Sequence, residues 1–454
     1  MTVEHQVGTR VSLPDDRVEK ALADKKPLLG LAEARAEADR CLYCSDAPCI
    51  KACPTEIDIP TFIKKIATGN VRGAARTILE QNILGYSCAR VCPTEVLCEG
   101  SCVYTGWQKA PIKIGRLQRY ATEHATALGE PAIFTPKTQP DQGRRHKVAL
   151  VGAGPASLSC AATLALAGHE ATIFERLPVP GGLNTTGIAP YKMHADDALH
   201  EVEWVQELGV EIQIGVEVGR DVTAESLLAA YDAVFIGVGL GKDTPLGILG
   251  EDGPGVHGAV QWIERVKTLK KSDAKLHLGR VIVVGGGNTA IDVARESAQL
   301  GAEHVAMVYR RGADEMSGYL HEMEGARKEG VELVPNTLPH SFVRDAHGKL
   351  VGLRVVSARH GKALPNTERE IPCDAVVVAI GQAKLKDLAK QFPGVALDAK
   401  GCIVADPSTG ATGNPKVWSG GDCINGGKEV VNAVADGRNA ARTLIAGWSS
   451  KASE

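Results

Sequence analysis

The sequence predicts an α/β chain: a helical, cysteine-rich N-terminal region, then a Rossmann-like domain with a second Rossmann-like domain inserted into it. Three observations predict this. Eight of the 12 cysteines fall between Cys41 and Cys102. Two apolar strands, VALVG at 148–152 and VIVVG at 281–285, each run into a glycine-rich turn and a helical pattern. Strand and helix patterns alternate after each of them, as in a parallel sheet.

Composition narrows the class. With 454 residues, 44% hydrophobic and 23% charged, the chain reads as two or three globular domains rather than a disordered polymer. A net charge of -3 gives no basic field for nucleic acid. The 50 glycines follow no collagen-like period and are expected in tight turns. The start, MTVEHQVGTRVSLPDD, lacks the apolar core of a signal peptide. The apolar run Val148 to Gly168 is broken by Gly152, Gly154 and Pro155, so it reads as strand, turn and helix rather than a membrane span. A cytoplasmic protein with reduced thiols and no membrane contact is the expectation.

In chain order, residues 1–140 are expected to form a helical iron–sulfur domain. LAEARAEADR is a helix leading into Cys41. TFIKKIATG and GAARTILEQN carry apolar residues at three and four spacing, and a further helix runs from Ile114 to about Leu128. TPKTQPDQGRRH is a linker. Residues 141–275 and 375–454 are expected to form one nucleotide domain, and 276–374 the inserted one, since DAVVVAIGQ and VWSGGDCINGG return to glycine-punctuated strands.

The cysteines are spaced Cys41-x2-Cys44-x4-Cys49-x3-Cys53-Pro54 and Cys88-x3-Cys92-Pro93-x5-Cys98-x3-Cys102. Thiolates are soft ligands, and short loops bring several sulfurs to one centre. A run ending in Cys-Pro suits a ferredoxin-like pair of [4Fe-4S] clusters better than zinc. The same pattern sends the cysteine before proline, Cys53, to the second cluster. Eight cysteines match the ligand count of two clusters.

Gly152-Ala153-Gly154-Pro155-Ala156-Ser157 follows a strand and opens a helix, where small residues let the backbone approach a pyrophosphate. Ser157 stands where Gly or Ala is usual. Glu175 ends the next strand and is placed to bind an adenosine ribose. Gly181-Gly182-Leu183 and Gly421-Asp422 favour FAD, with Asp422 available to a ribityl chain. At the second turn, Gly285-Gly286-Gly287-Asn288-Thr289, the following strand ends in Arg310-Arg311 rather than an acid, which suits the 2′-phosphate of NADP(H). Flavin with nicotinamide means hydride transfer, the chemistry residing on the cofactors.

SDAPC at 45–49, CARVCPTEVLCEGSC at 88–102, PIKIGRLQRYATE at 111–123 and the two nucleotide motifs together resemble the electron-input part of dihydropyrimidine dehydrogenase. The wider family includes the small subunit of glutamate synthase. The resemblance implies FAD, NAD(P)H and two [4Fe-4S] clusters as cofactors. It assigns the first cluster to Cys41, Cys44, Cys49 and Cys102, and the second to Cys53, Cys92, Cys98 and Gln118, whereas spacing alone prefers Cys88 to Gln118. It extends the flavin contacts to Gly154–Leu158, Glu175–Leu183, Lys192 and Val218, and the dinucleotide contacts to Arg310, Arg311 and Ala379-Ile380-Gly381. A basic contact of the larger enzymes is Ser317 here, and bacterial members are often NADH-dependent, so the preferred nicotinamide stays open. No catalytic side chain is expected. An FMN barrel finds no room in 454 residues. The resemblance therefore implies a hetero-oligomer in which a separate FMN and iron–sulfur subunit reduces uracil or thymine.

Overall fold

The computed structural model describes residues 11–127 and 133–451. Its N-terminal third is helical. Helices Leu31–Asp39, Ile59–Ala67, Val71–Gln81 and Ile114–Ala127 pack around Ile59, Phe62, Ile63, Ile78, Leu117 and Tyr120, and the helix Gly85–Val91 packs on Ile114–Ala127. The amphipathic spacing expected of the two segments between the cysteine groups is realised. Their starts are set by side-chain caps: Asp58 accepts from Thr61 N and Asn70 from Gly73 N. The expected helix end at Leu128 lies outside the described residues.

After the 135–146 linker the chain forms β1 (Lys147–Val151), β2 (Glu170–Glu175), β3 (Glu211–Ile214) and β4 (Ala233–Ile236). It then leaves for β5 (Val256–Gly258), β6 (Arg280–Val284), β7 (His304–Val308) and β8 (Glu332–Val334). An antiparallel group follows: β9 (Thr337–Arg344), β10 (Leu350–Arg359), β11 (Lys362–Ala363) and β12 (Arg369–Pro372). The chain continues through β13 (Ala375–Val378) before β14 (Val417–Ser419) and the long helix Val430–Lys451. Two parallel sheets result, β14-β4-β1-β2-β3 and β5-β13-β6-β7-β8. Each places a glycine turn after its central strand, β1 or β6, where the connections diverge to opposite sides.

The division at 374/375 needs correction. Ala375–Val378, expected in the first nucleotide domain, pairs with Val281–Val284 and with β5, so it completes the second sheet. That sheet also takes Val256–Gly258, upstream of the expected start at 276. The run AVVV is fully buried and apolar, and such a strand suits either parallel sheet equally. Pairing partners far along the chain decide which one it joins. Among the described residues no helix is long and apolar enough to cross a membrane.

Candidate flavin, dinucleotide and iron–sulfur site

The first glycine turn is shaped by close approach. Gly152 has φ 88°, and a Cβ there would lie 2.9 Å from Gly237 O at the end of β4. The helix Pro155–Leu166 then starts at Gly154 with no side-chain cap, which leaves its first N–H groups for an anion. Ala156 lines the resulting cleft, while Leu158 is buried behind it. Ser157 Oγ is buried without a hydrogen-bond partner among the described residues, directed at Gly237. Glu175 ends β2, its Oε2 accepting from Ala153 N at 2.7 Å and Oε1 from Leu177 N at 2.8 Å. Burial pushes its carboxyl up and these N–H groups oppose that. It thus braces the turn as well as lining the cleft. Gly181 N donates to Ala153 O at 2.9 Å, bringing Gly182 and Leu183 onto the same turn. Gly421 N donates to Asp436 Oδ2, and Asp422 accepts from Lys428 N at 3.0 Å; both Gly421 and Asp422 face the cleft. Val218 does not line it, being packed beside Phe174 and Val216 in the core.

The second turn repeats the device. A Cβ on Gly285 would fall 2.3 Å from Ala379 O, and the helix Asn288–Gln299 starts uncapped at Gly287. A loop folds over it: Gly318 N donates to Gly286 O, Tyr319 N to Asn288 Oδ1, and Tyr319 Oη to Glu429 Oε1 across the cleft at 2.8 Å. Ser317 lies beside Gly287. Arg310 is exposed, whereas Arg311 Nε donates to Tyr309 Oη at 3.0 Å. Ala379, Ile380 and Gly381 follow β13, with Gly381 O accepting from Thr244 N.

Both turns open on one cleft of about 940 Å³. Its flavin side carries Gly152–Ala156, Glu175, Leu183 and Asp422, its other side Asn288, Thr289, Asp292, Tyr319 and Glu322. Val91 and Pro93, which flank Cys92, close a third side. Lys192 crosses between the halves, 2.7 Å from Asp292 and 3.2 Å from Glu322. Burial would raise the Glu322 carboxyl, but Lys192 and Lys25 overrule it and hold it at about 2. Asp292, Tyr319, Glu322 and Glu429 escaped the sequence reading. Helical spacing could have found Asp292, one turn after Asn288 on the same face.

The cysteines form two groups. Cys41, Cys44, Cys49 and Cys102 line a small cavity of about 30 Å³ with Ile59, Ile63 and Ile112. Cys92 and Cys53 act electrostatically on the Cys98 thiol, and Cys92 N donates to Cys88 O at 3.0 Å. Cys88 is buried in the core of the flavin domain. Gln118, 8% exposed, donates from Nε2 to Gly85 O at 2.7 Å; its Oε1 has no hydrogen bond among the described residues. Burial, with Cys41 and Cys102 nearby, pushes the Cys49 thiol up to about 12. Such thiols ionise when a cationic centre binds them. The soft thiolate donors of these two groups, all but Cys88 half-buried, fit iron–sulfur clusters.

Residues 146–437 match the family described as pyridine nucleotide-disulphide oxidoreductase. The chain belongs to that family. Residues 19–130 match dihydropyrimidine dehydrogenase domain II, 4Fe-4S cluster. This oxidoreductase is 36% identical to the glutamate synthase [NADPH] small chain of Escherichia coli K12, over 91% of each chain. It is 35% identical to the NAD-dependent dihydropyrimidine dehydrogenase subunit PreT of Escherichia coli O157:H7, over 92% of this chain and 94% of that one. Among solved structures, T. acidophilum thioredoxin reductase superposes with a TM-score of 0.54 at 23% identity, over 67% of this chain and 99% of that chain, a likeness of fold. The family and the sites together make this an NAD(P)H-dependent electron-transfer subunit with FAD and [4Fe-4S] clusters.

Proposed function

We propose that the chain takes electrons from NAD(P)H and passes them, through FAD and two [4Fe-4S] clusters, to a separate FMN-bearing iron–sulfur subunit that reduces uracil or thymine in the cytoplasm. The observation that carries this is the single cleft onto which both glycine turns open and which Val91 and Pro93 wall off beside Cys92. Bound FAD supplies the exchange between a two-electron hydride and single electrons. The protein does the rest by placement. Uncapped helix N-termini at Gly154 and Gly287 would receive the two pyrophosphates, and the exposed Arg310 would pair with a 2′-phosphate. The Lys192 bridge to Asp292 and Glu322 ties together the two halves that would hold flavin and nicotinamide.

Cys41, Cys44, Cys49 and Cys102 hold the first cluster, and Cys53, Cys92, Cys98 and Gln118 the second. The unbonded Oε1 of Gln118 supports that last assignment, and with it the pyrimidine system. The 36% identity to a glutamate synthase small chain favours a second reading, electron supply to glutamine-dependent amination.

The deciding experiment is anaerobic. The purified chain is mixed with NADH or NADPH and either an FMN-bearing pyrimidine-reducing subunit with uracil or a glutamate synthase large subunit with glutamine and 2-oxoglutarate. Dihydrouracil formation with a stable complex is expected. Glutamate formation alone would transfer the chain to the second reading, and equal rates with both nicotinamides would remove any selective role for Arg310 and Arg311.

A further inference from the structure

Arg438 lies on the helix Val430–Lys451 of the flavin domain; its Nε and Nη2 donate to the neighbouring Asn439 Oδ1, while its Nη1 reaches into the iron–sulfur domain. It is 5% exposed, and Nη1 donates to Thr55 O at 2.7 Å, Gln81 O at 2.8 Å and Gln81 Oε1 at 3.0 Å. Thr55 is fully buried, and its Oγ1 lies 3.3 Å from Cys53 Sγ. Among the described residues no carboxylate lies within ion-pair distance of Arg438. Glu56 acts on it only from an exposed position. One turn on, Arg442 Nη2 also reaches Gln81 Oε1, which adds positive charge rather than relieving it. A buried cation held only by neutral carbonyls is costly unless an anion is near. From a different part of the chain, Lys26 Nζ donates to Cys92 O at 3.2 Å. That lysine is placed by Arg119, which holds Lys26 O and Asp24, and by Arg116, which holds Pro27 O. Two cations from distant segments thus converge on the group containing Cys53 and Cys92.

We infer that Arg438 and Lys26 supply the positive charge that compensates the second cluster when it is bound, and so raise its reduction potential. The inference rests on the ligand reading above, with either Gln118 or Cys88 completing the group. The physical reason is direct. Thiolate ligands make the cluster anionic, and an added electron makes it more so. Fixed cations at its edge stabilise the reduced form more than the oxidised one. A raised potential suits the cluster nearest the cleft for accepting single electrons from a reduced flavin. Arg438 and Lys26 act through the cluster's surroundings and are therefore positioning residues for charge.

The test is an anaerobic redox titration of the full-length, cluster-loaded protein followed by electron paramagnetic resonance, comparing wild type with Arg438→Gln, Arg438→Lys and Lys26→Met. At the potential where half the second clusters of the wild type are reduced, the ratio of reduced to oxidised cluster is expected to fall about tenfold in Arg438→Gln, equivalent to about 59 mV for a one-electron couple. Lys26→Met shifts it the same way, Arg438→Lys restores most of the loss, and the first cluster is unmoved. Should Arg438→Gln fail to load its iron, Lys26→Met and Arg442→Gln carry the test, at more accessible positions. Full iron content with unshifted potentials in these variants would overturn the inference and leave Arg438 a clamp between domains. A wild-type protein with iron for only one cluster would instead overturn the ligand reading, an outcome that iron and sulfide analysis separates from the first.

Discussion

At the residue scale the sharpest question is the choice between Gln118 and Cys88. Both stand at the second cysteine group: Cys88 O accepts from Cys92 N, and Gln118, whose Nε2 donates to Gly85 O, has an Oε1 with no hydrogen bond among the described residues. Exchanging a ligand removes a bond to iron, whereas exchanging a buried neighbour removes only packing. Gln118→Leu should therefore lose the second cluster, about half of the bound iron, while Cys88→Ser keeps the full complement; iron analysis with low-temperature spectra checks this. The reverse pattern would reassign the ligand. Gln118 could not be found by spacing, because it lies on a helix 16 residues past Cys102. Only the family resemblance singled it out. Arg438 was invisible for the same kind of reason. Nothing in the local sequence of a long helix announces that one of its arginines will be buried against Thr55.

At the element scale the helices do more than pack. The helix Ala195–Glu207 of the flavin domain carries Glu201, whose Oε1 accepts from Tyr86 N at 3.0 Å and Ser87 N at 3.1 Å, and whose Oε2 is hydrogen-bonded to Ser87 Oγ. It caps the helix Gly85–Val91 that leads to Cys92, and so fastens the iron–sulfur domain to the flavin domain. Burial, opposed by the Ser87 and Tyr86 hydrogen bonds and Arg90, raises its carboxyl to about 7. A raised acid stabilises the fold fully below its unfolded value, near 4.5, and that contribution is lost as pH rises through 7. The wild type should therefore lose stability relative to Glu201→Gln between pH 4.5 and pH 7. The difference should reach at most ~3 kcal/mol. Thermal unfolding of both proteins across that range checks it, and a wild type that gains stability relative to Glu201→Gln as pH rises would be the wrong sign. Amphipathic period and the capping residues Asp58 and Asn70 made the helices legible. Capping by a residue 114 positions away, from Glu201 to Ser87, was not.

At the scale of the whole molecule, function depends on three parts sharing one cleft. Lys192 is the plainest link, tying the flavin-side segment to Asp292 and Glu322. Lys192→Met should leave FAD content and both clusters intact. It should lower kcat/KM for flavin reduction by NAD(P)H about 10- to 100-fold, since small misplacements of reacting partners carry losses of that order. Stopped-flow flavin bleaching checks it, and an unchanged rate would show that the halves need no such tie.

What is local was legible in the chain: two glycine turns after apolar strands, a helical cysteine region, and the grouping of chemistry into flavin, dinucleotide and iron–sulfur sites. Spacing over a few residues suffices there, because a turn or a ligand loop is built from neighbours. Only the closed chain shows which sheet Ala375–Val378 completes, which wall Val91 and Pro93 form, and that the buried Arg438 donates to Thr55 O beside Cys53. Those outcomes depend on pairing, burial and charge compensation between segments as far apart as Thr55 and Arg438, and their physics appears only when the chain has closed.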